Sequence, residues 1–191
     1  MDGAFNRLTF ANVAAFDGVV LATGAAVNKD MEKTLTKTDH VINLFALPVD
    51  HASVKDAFAI DTHRKRVTHT KRSMQTIVES EDPVQTVHWP GAFTEQSAAR
   101  LVRHRLGNFT LVLDDATKAL FNERTMRHLK TLRITLRVRR AIAVLLVTLN
   151  PQSPTGHHYN KDAFLKAAKA RFNVPVINVM DKEDTAHETI P

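Results

Sequence analysis

Two stretches of this 191-residue chain are apolar on both faces, FTLVL at 109–113 and AIAVLLVTL at 141–149. They constrain the fold more than any other feature. A strand apolar on both sides belongs inside a mostly parallel sheet, because an antiparallel sheet with one wet face alternates apolar and polar residues. GVVLATG (18–24), VINLFALPV (41–49, stopped by Pro48), VQTVHWPG (84–91) and VPVINVMD (174–181) read as further strands. Helix-forming text lies between them. NKDMEKTLTKT follows the first strand. Thr94 caps a helix running to about Leu106, with Glu95 in its first turn and Gly107 to end it. ATKALFNERTMRHLKTLR (116–133) is the longest helical candidate. Asn160 caps KDAFLKAAKAR, which places Phe164, Leu165, Ala168 and Phe172 along one face.

Alternating strands and helices predict an α/β fold: a three-layer, mostly parallel sheet flanked by helices. The length suits a single domain over 1–180, with a basic insertion or arm at about 51–82 and an acidic, flexible tail at 181–191. Ligands in such sheets bind beyond the carboxyl ends of the strands. There the sequence places Thr23–Gly24, Pro90–Gly91, Asp114–Asp115 and Thr148–Asn150.

The chain has no Cys, which removes disulfides and thiolate chemistry together. No apolar run approaches the ~20 residues of a membrane span, and MDGAFNRLTF has no signal-peptide pattern. An intracellular setting, cytoplasmic or virion-associated, is expected. The histidines lack ligand-like spacing for a metal site. Trp89, between His88 and Pro90, reads as core; exposed, it would be a base-stacking platform.

Lys and Arg total 26 against 20 Asp and Glu, and the surplus is uneven. HRKRVTHTKR (63–72) and RTMRHLKTLRITLRVRR (124–140) contain no acid. Acid-free basic blocks predict a polyanionic partner, with Arg64, Lys65, Arg66, Lys71, Arg72, Arg137 and Arg139 as nucleic-acid-binding candidates. The alternation in RITLRVRR also fits an edge strand with a basic face.

Adjacent carboxylates at a strand end suit divalent-metal chemistry. One orients a hydrated Mg²⁺, and its neighbour polarises a water for attack on phosphate. Four apolar residues followed by Asp114 and Asp115 resemble the Walker B strand of P-loop NTPases. AIAVLLVTLN-PQSPT is similar to the sensor strand of FtsK/HerA-type and viral genome-packaging ATPases, and KARFNVPVINV supplies the Arg and Asn expected after it. The resemblance implies ATP at Thr23, Gly24, Asn28 and Lys29, Mg²⁺ at Asp114, and an activated water at Asp115. It further implies a sensor at Asn150 or Gln152 and arginines at Arg140 or Arg171. A DNA-packaging or translocating hydrolase working as a homo-oligomer, or within a larger assembly, would follow. ATGAAVNKDMEKT departs from the glycine-rich pattern: the second Gly is missing and Asp30 stands where Ser or Thr binds Mg²⁺. The alternative is a non-enzymatic basic α/β module that binds nucleic acid or assembles into a particle, with the acids as helix caps.

Overall fold

The two doubly apolar runs lie in different sheets. A computed structural model describes residues 18–52, 58–63, 65–69 and 73–180. From the N-terminal side come β1 (Gly18–Gly24), α1 (Met31–Phe45), β2 (Phe58–Thr62), β3 (Arg66–His69), α2 (Met74–Val78) and β4 (Val84–Trp89). Then follow β5 (Phe93–Thr94), α3 (Glu95–Arg103), β6 (Thr110–Leu113), a 3-10 turn (Ala116–Lys118), β7 (Ala119–Leu120) and α4 (Glu123–Thr131). The chain closes with β8 (Thr135–Val138), β9 (Ala143–Asn150), α5 (Lys161–Arg171) and β10 (Val176–Asn178). The fold is α/β with mixed sheets. β9 lies between β1 and β10, whereas β6 belongs to a five-stranded sheet of order β3-β2-β4-β6-β8. Where one sheet and one domain were expected, the described residues gather into two compact units.

The first unit takes Gly18–Ile42 and the chain from Val144. β10 runs parallel to β9, pairing Val176 with Val147. Its core joins Leu35 and Ile42 of α1, Val147 and Leu149 of β9, Phe164 and Ala168 of α5, Phe172 and Val176. Fully burying a side chain such as Phe164 contributes roughly 1.5–3 kcal/mol. Asn160 caps α5 as expected, accepting the Ala163 amide at 2.9 Å. The strand expected at 41–49 is a correction: Val41–Phe45 form the last turns of α1. Leu35, Thr38, Val41, Ile42 and Phe45 are all buried, and their spacing of three and four continues one helical stripe into the apolar run. β9 is not buried on both faces as expected: Val147 and Leu149 are buried on one, whereas Leu146 and Thr148 on the other are half-buried and Leu145 is 54% exposed.

The second unit is Asn43–Ala143. Here the expectation of a fully buried strand holds, with Leu111, Val112 and Leu113 each 0% exposed. β4, β6 and β8 are parallel, and β2 and β3 add an antiparallel edge. Within the stretch expected as a basic insertion or arm, about 51–82, β2 lies between β3 and β4 through buried Phe58, Ala59 and Ile60. FAI is too short a run to stand out amid polar residues, and its pairing partners are remote in sequence. The edge-strand expectation for RITLRVRR is met by β8, with Leu136 and Val138 buried. The long helix expected at 116–133 is broken. Ala119–Leu120 pair with β5, and Asn122 restarts the helix by accepting the Thr125 amide at 3.0 Å. Trp89 is core, packed edge-on against Phe58 and Phe93. Among the described residues no helix is long and apolar enough to cross a membrane.

Candidate nucleic-acid interface

The predicted phosphate loop lies in the first unit, and its polar groups are engaged internally. Asp30 caps α1, its carboxylate accepting the amides of Glu32 at 2.9 Å and Lys33 at 3.3 Å. The helix N-terminus that would attract a phosphate thus already holds a carboxylate. Asn28 accepts the Asp30 amide through Oδ1, and its carbonyl receives the Tyr159 hydroxyl. Burial raises the Tyr159 pKa, so that hydroxyl keeps its proton. Thr23 shares a buried hydroxyl contact of 2.7 Å with Thr38. Gly24 answers a packing demand: a Cβ there would sit 1.9 Å from the Asn150 carbonyl oxygen. Lys29 is exposed. The sensor candidates also act locally. Asn150 Oδ1 accepts the Gln152 amide at 2.9 Å, and Gln152 bridges to His158. Arg171 ties α5 to α1 through Glu32 at 3.2 Å and Thr36 at 3.0 Å.

Asp114 and Asp115 lie in the second unit, in a different sheet from that loop. What offsets the two acids is the end of β8. Backbone pairing continues past the strands, with the Arg139 amide on the Leu113 carbonyl and the Arg140 amide on that of Asp114. This sets two guanidinium groups beside two carboxylates. Arg139 Nη1 lies 3.4 Å from Asp114 Oδ1, with both side chains largely buried. Asp114 Oδ2 accepts the Gly91 amide, which the positive φ of 71° at Gly91 supports. Asp115 is buried and caps the 3-10 turn, accepting the Thr117 amide at 2.9 Å and its hydroxyl. Arg140, half exposed and 3.8 Å away, adds at most about 1 kcal/mol to that site. Capping therefore dominates at Asp115 and ion pairing at Asp114. Among the described residues no cluster of three or more His, Asp or Glu could hold a metal ion.

The predicted basic residues divide. Arg64, Lys71 and Arg72 lie outside the described residues. Lys65 is exposed. Arg66 is committed to Asp61, with Nη2 2.7 Å from Oδ2. This contact, ahead of one from His88, lowers the Asp61 pKa, and Asp61 raises that of Arg66. Arg137 is half-buried and reaches the Val49 carbonyl. Arg139 is in the Asp114 pair. Of the four described ones, Arg139 is thus buried in an ion pair, Arg66 is paired but still exposed, Arg137 is half-buried, and Lys65 lies at the surface.

A further group of exposed cations lies along α3 and α4. Glu95, at the start of α3, accepts the amide of Asn122 at 2.6 Å and the hydroxyl of Thr125, tying the two helix starts together. At the other end, the Asn108 amide donates to the Leu132 carbonyl at 3.0 Å. A Cβ at Gly107 would come within 2.0 Å of that carbonyl oxygen, so Gly107 permits this approach rather than ending α3. The helices therefore run side by side in the same direction, with their basic last turns together. Arg100, Arg103 and Arg105 from one side, and Arg124, Arg127, Lys130 and Arg133 from the other, are all exposed.

Both helices also close in one way. Leu106 donates to Leu101 and Ile134 to Leu129, the six-to-one bond of a Schellman turn. The residue held left-handed is Arg105 (φ 51°) in one case and Arg133 (φ 57°) in the other, where glycine is usual. Sequence reasoning overlooked Arg100, Arg103 and Arg105, although the acid-free AARLVRHRLG (98–107) contained the signal. No protein-family model, curated protein or solved structure matches the chain.

Proposed function

We propose that this chain binds nucleic acid through the basic face shared by α3 and α4, as a non-enzymatic α/β module. The observation that carries the reading is the pair of left-handed arginines at adjoining helix ends. A non-glycine residue in that conformation costs roughly 1–2 kcal/mol, and such strain concentrates where function requires the side chain. Two cations held this way, at the ends of two parallel helices, suit a polyanion that spans both. Seven exposed Lys and Arg on these helices and their closing turns face only two acids from them, Glu95 and Glu123, and Glu95 is engaged at the start of α4.

The reading as an ATP- and Mg²⁺-dependent packaging hydrolase rests on Asp114, Asp115 and the loop around Lys29. The arginines beside both acids and the carboxylate at the start of α1 favour the non-enzymatic alternative. Assembly with further copies or a larger particle has separate support: Val20, Leu145, Ile177, Val179 and Met180 are 40–58% exposed.

The test is Arg105→Gly combined with Arg133→Gly, measured for stability and for binding to DNA and RNA across a salt series. Relief of about 1–2 kcal/mol per site, less the roughly 0.5–1 kcal/mol entropic cost of glycine, leaves stability unchanged or raised by up to about 1.5 kcal/mol per site, so up to about 3 kcal/mol for the pair. Binding should weaken, and its logarithmic salt slope should flatten by about 0.7–0.9 per lost contact. Unaltered affinity and slope would refute the interface.

A further inference from the structure

Beside α3 a cleft of about 570 Å³ opens in the second unit, within the size range of small-ligand pockets. Its chemistry is divided between two kinds of wall. Met74 and Val78 of α2 and Trp89 at the end of β4 form an apolar side, whereas Arg100 and Arg103 of α3 form a cationic one. Thr94 and Ser97 add hydroxyls, and no carboxylate is among the described lining residues.

Charge selects the ligand class. Arg100 and Arg103 are one helical turn apart and both exposed, so each can reach into the cleft mouth. Together they bring two positive charges, from which the negative end of the α3 dipole subtracts about half a charge. The surplus of about 1.5 matches the charge of a phosphate monoester near neutral pH, about −1.5 to −2. The apolar wall then accommodates the uncharged body attached to that phosphate.

We propose that this cleft is a binding site for a nucleotide phosphate monoester, either a free mononucleotide or the 5′-phosphorylated end of a strand. It shares Arg100 and Arg103 with the basic face proposed above and in that respect rests on the same reading. The site itself is distinct from the loop at Gly24–Lys29.

The chain contains a single tryptophan, so one indole N–H signal reports on the cleft without ambiguity. That N–H donates to the carbonyl of Ala92, which also lines the cleft. The experiment titrates full-length protein with AMP, adenosine and inorganic phosphate, following the Trp89 indole cross-peak by NMR and the heat of binding by calorimetry. AMP should shift the peak saturably and adenosine far less. The Arg100→Gln, Arg103→Gln double variant, altered only at exposed positions, should keep a dispersed spectrum and bind AMP at least about tenfold more weakly, as expected for charge-assisted hydrogen bonds. A 5′-phosphorylated oligonucleotide shifting the same peak more than its 5′-hydroxyl counterpart would assign the ligand to strand ends. AMP active without that difference would assign it to free mononucleotide. No shift and no heat at millimolar AMP, or equal binding by AMP and adenosine, would overturn the proposal. The same would follow if the double variant bound as the parent does. If longer nucleic acid still bound with its salt dependence intact, the cleft alone would fall and the α3–α4 interface would stand.

Discussion

Gly24→Ala separates two accounts of the same glycine. In a phosphate loop the residue is small so that backbone can approach a phosphate, and its replacement would abolish ATP affinity while leaving the fold intact. The structure gives it another task. A Cβ at this position lies 1.9 Å from the Asn150 carbonyl oxygen, whereas real contacts keep at least 3.0 Å. β1 and β9 would have to part by the difference, about 1.1 Å. The bond from the Ala25 amide to that same oxygen is 2.9 Å long, so a shift of this size would stretch it beyond useful geometry. Overpacking costs about 1–3 kcal/mol and the lost bond about 0.5–1.5 kcal/mol. Partial relaxation of the strands leaves an expected loss of roughly 2–4 kcal/mol. Urea unfolding followed by circular dichroism measures the total, and amide exchange at Ala25 locates it, since that amide should lose protection before those of β6. A loss below about 1 kcal/mol, within the range of ordinary surface substitutions, would refute the packing argument. Stability unchanged with ATP affinity removed would restore the phosphate-loop reading.

Asp115→Ala should cost about 1–2 kcal/mol by removing the acceptor for Thr117, and Asp115→Asn clearly less, because its amide oxygen can still accept; equal losses in thermal unfolding would show that charge rather than capping matters. Arg139→Met should destabilise by several kcal/mol, because it leaves the largely buried Asp114 carboxylate without its cation. The double variant Arg139→Met, Asp114→Asn should recover much of that loss in urea unfolding, and additivity of the two changes would contradict the pairing. Asp61 contributes a pH dependence with a definite sign. Its folded pKa is lowered, first by the Arg66 hydrogen bond. Its stabilisation is therefore complete above the unfolded value of about 3.9 and is lost as pH falls through the lower folded one. The stability difference between the parent and Asp61→Asn should accordingly hold constant near neutrality and shrink below about pH 4, and a difference constant throughout acid unfolding would exclude the linkage.

Much of the architecture was legible locally. FTLVL announced a strand buried on both faces, Thr94 and Asn160 announced helix starts, and RITLRVRR showed the alternation of an edge strand. These features depend on neighbours three or four residues away, or on the two-residue period of a strand, and such patterns are written into the chain. VINLF shows the limit of that reading. A five-residue apolar run fits either period, and only the stripe continuing from Leu35 assigned it to α1.

The site was decided by tertiary structure. Sequence alone established the acids, the basic blocks and the excess of positive charge, but not which charges would meet. Parallel pairing of β6 with β8 brought Arg139 and Arg140 beside Asp114 and Asp115 from across a whole helix, a juxtaposition that the local sequence did not show. Asp61 of β2, with His88 of β4 beside it, likewise pairs Arg66, whose side chain stays 42% exposed. The cations of α3 and α4 were left exposed, drawn side by side because Gly107 lets the two helix ends touch. Local pattern sets helices and strands because their bonds are local; a charged surface is what remains after long-range contacts have neutralised the rest, and no single stretch of sequence contains that subtraction.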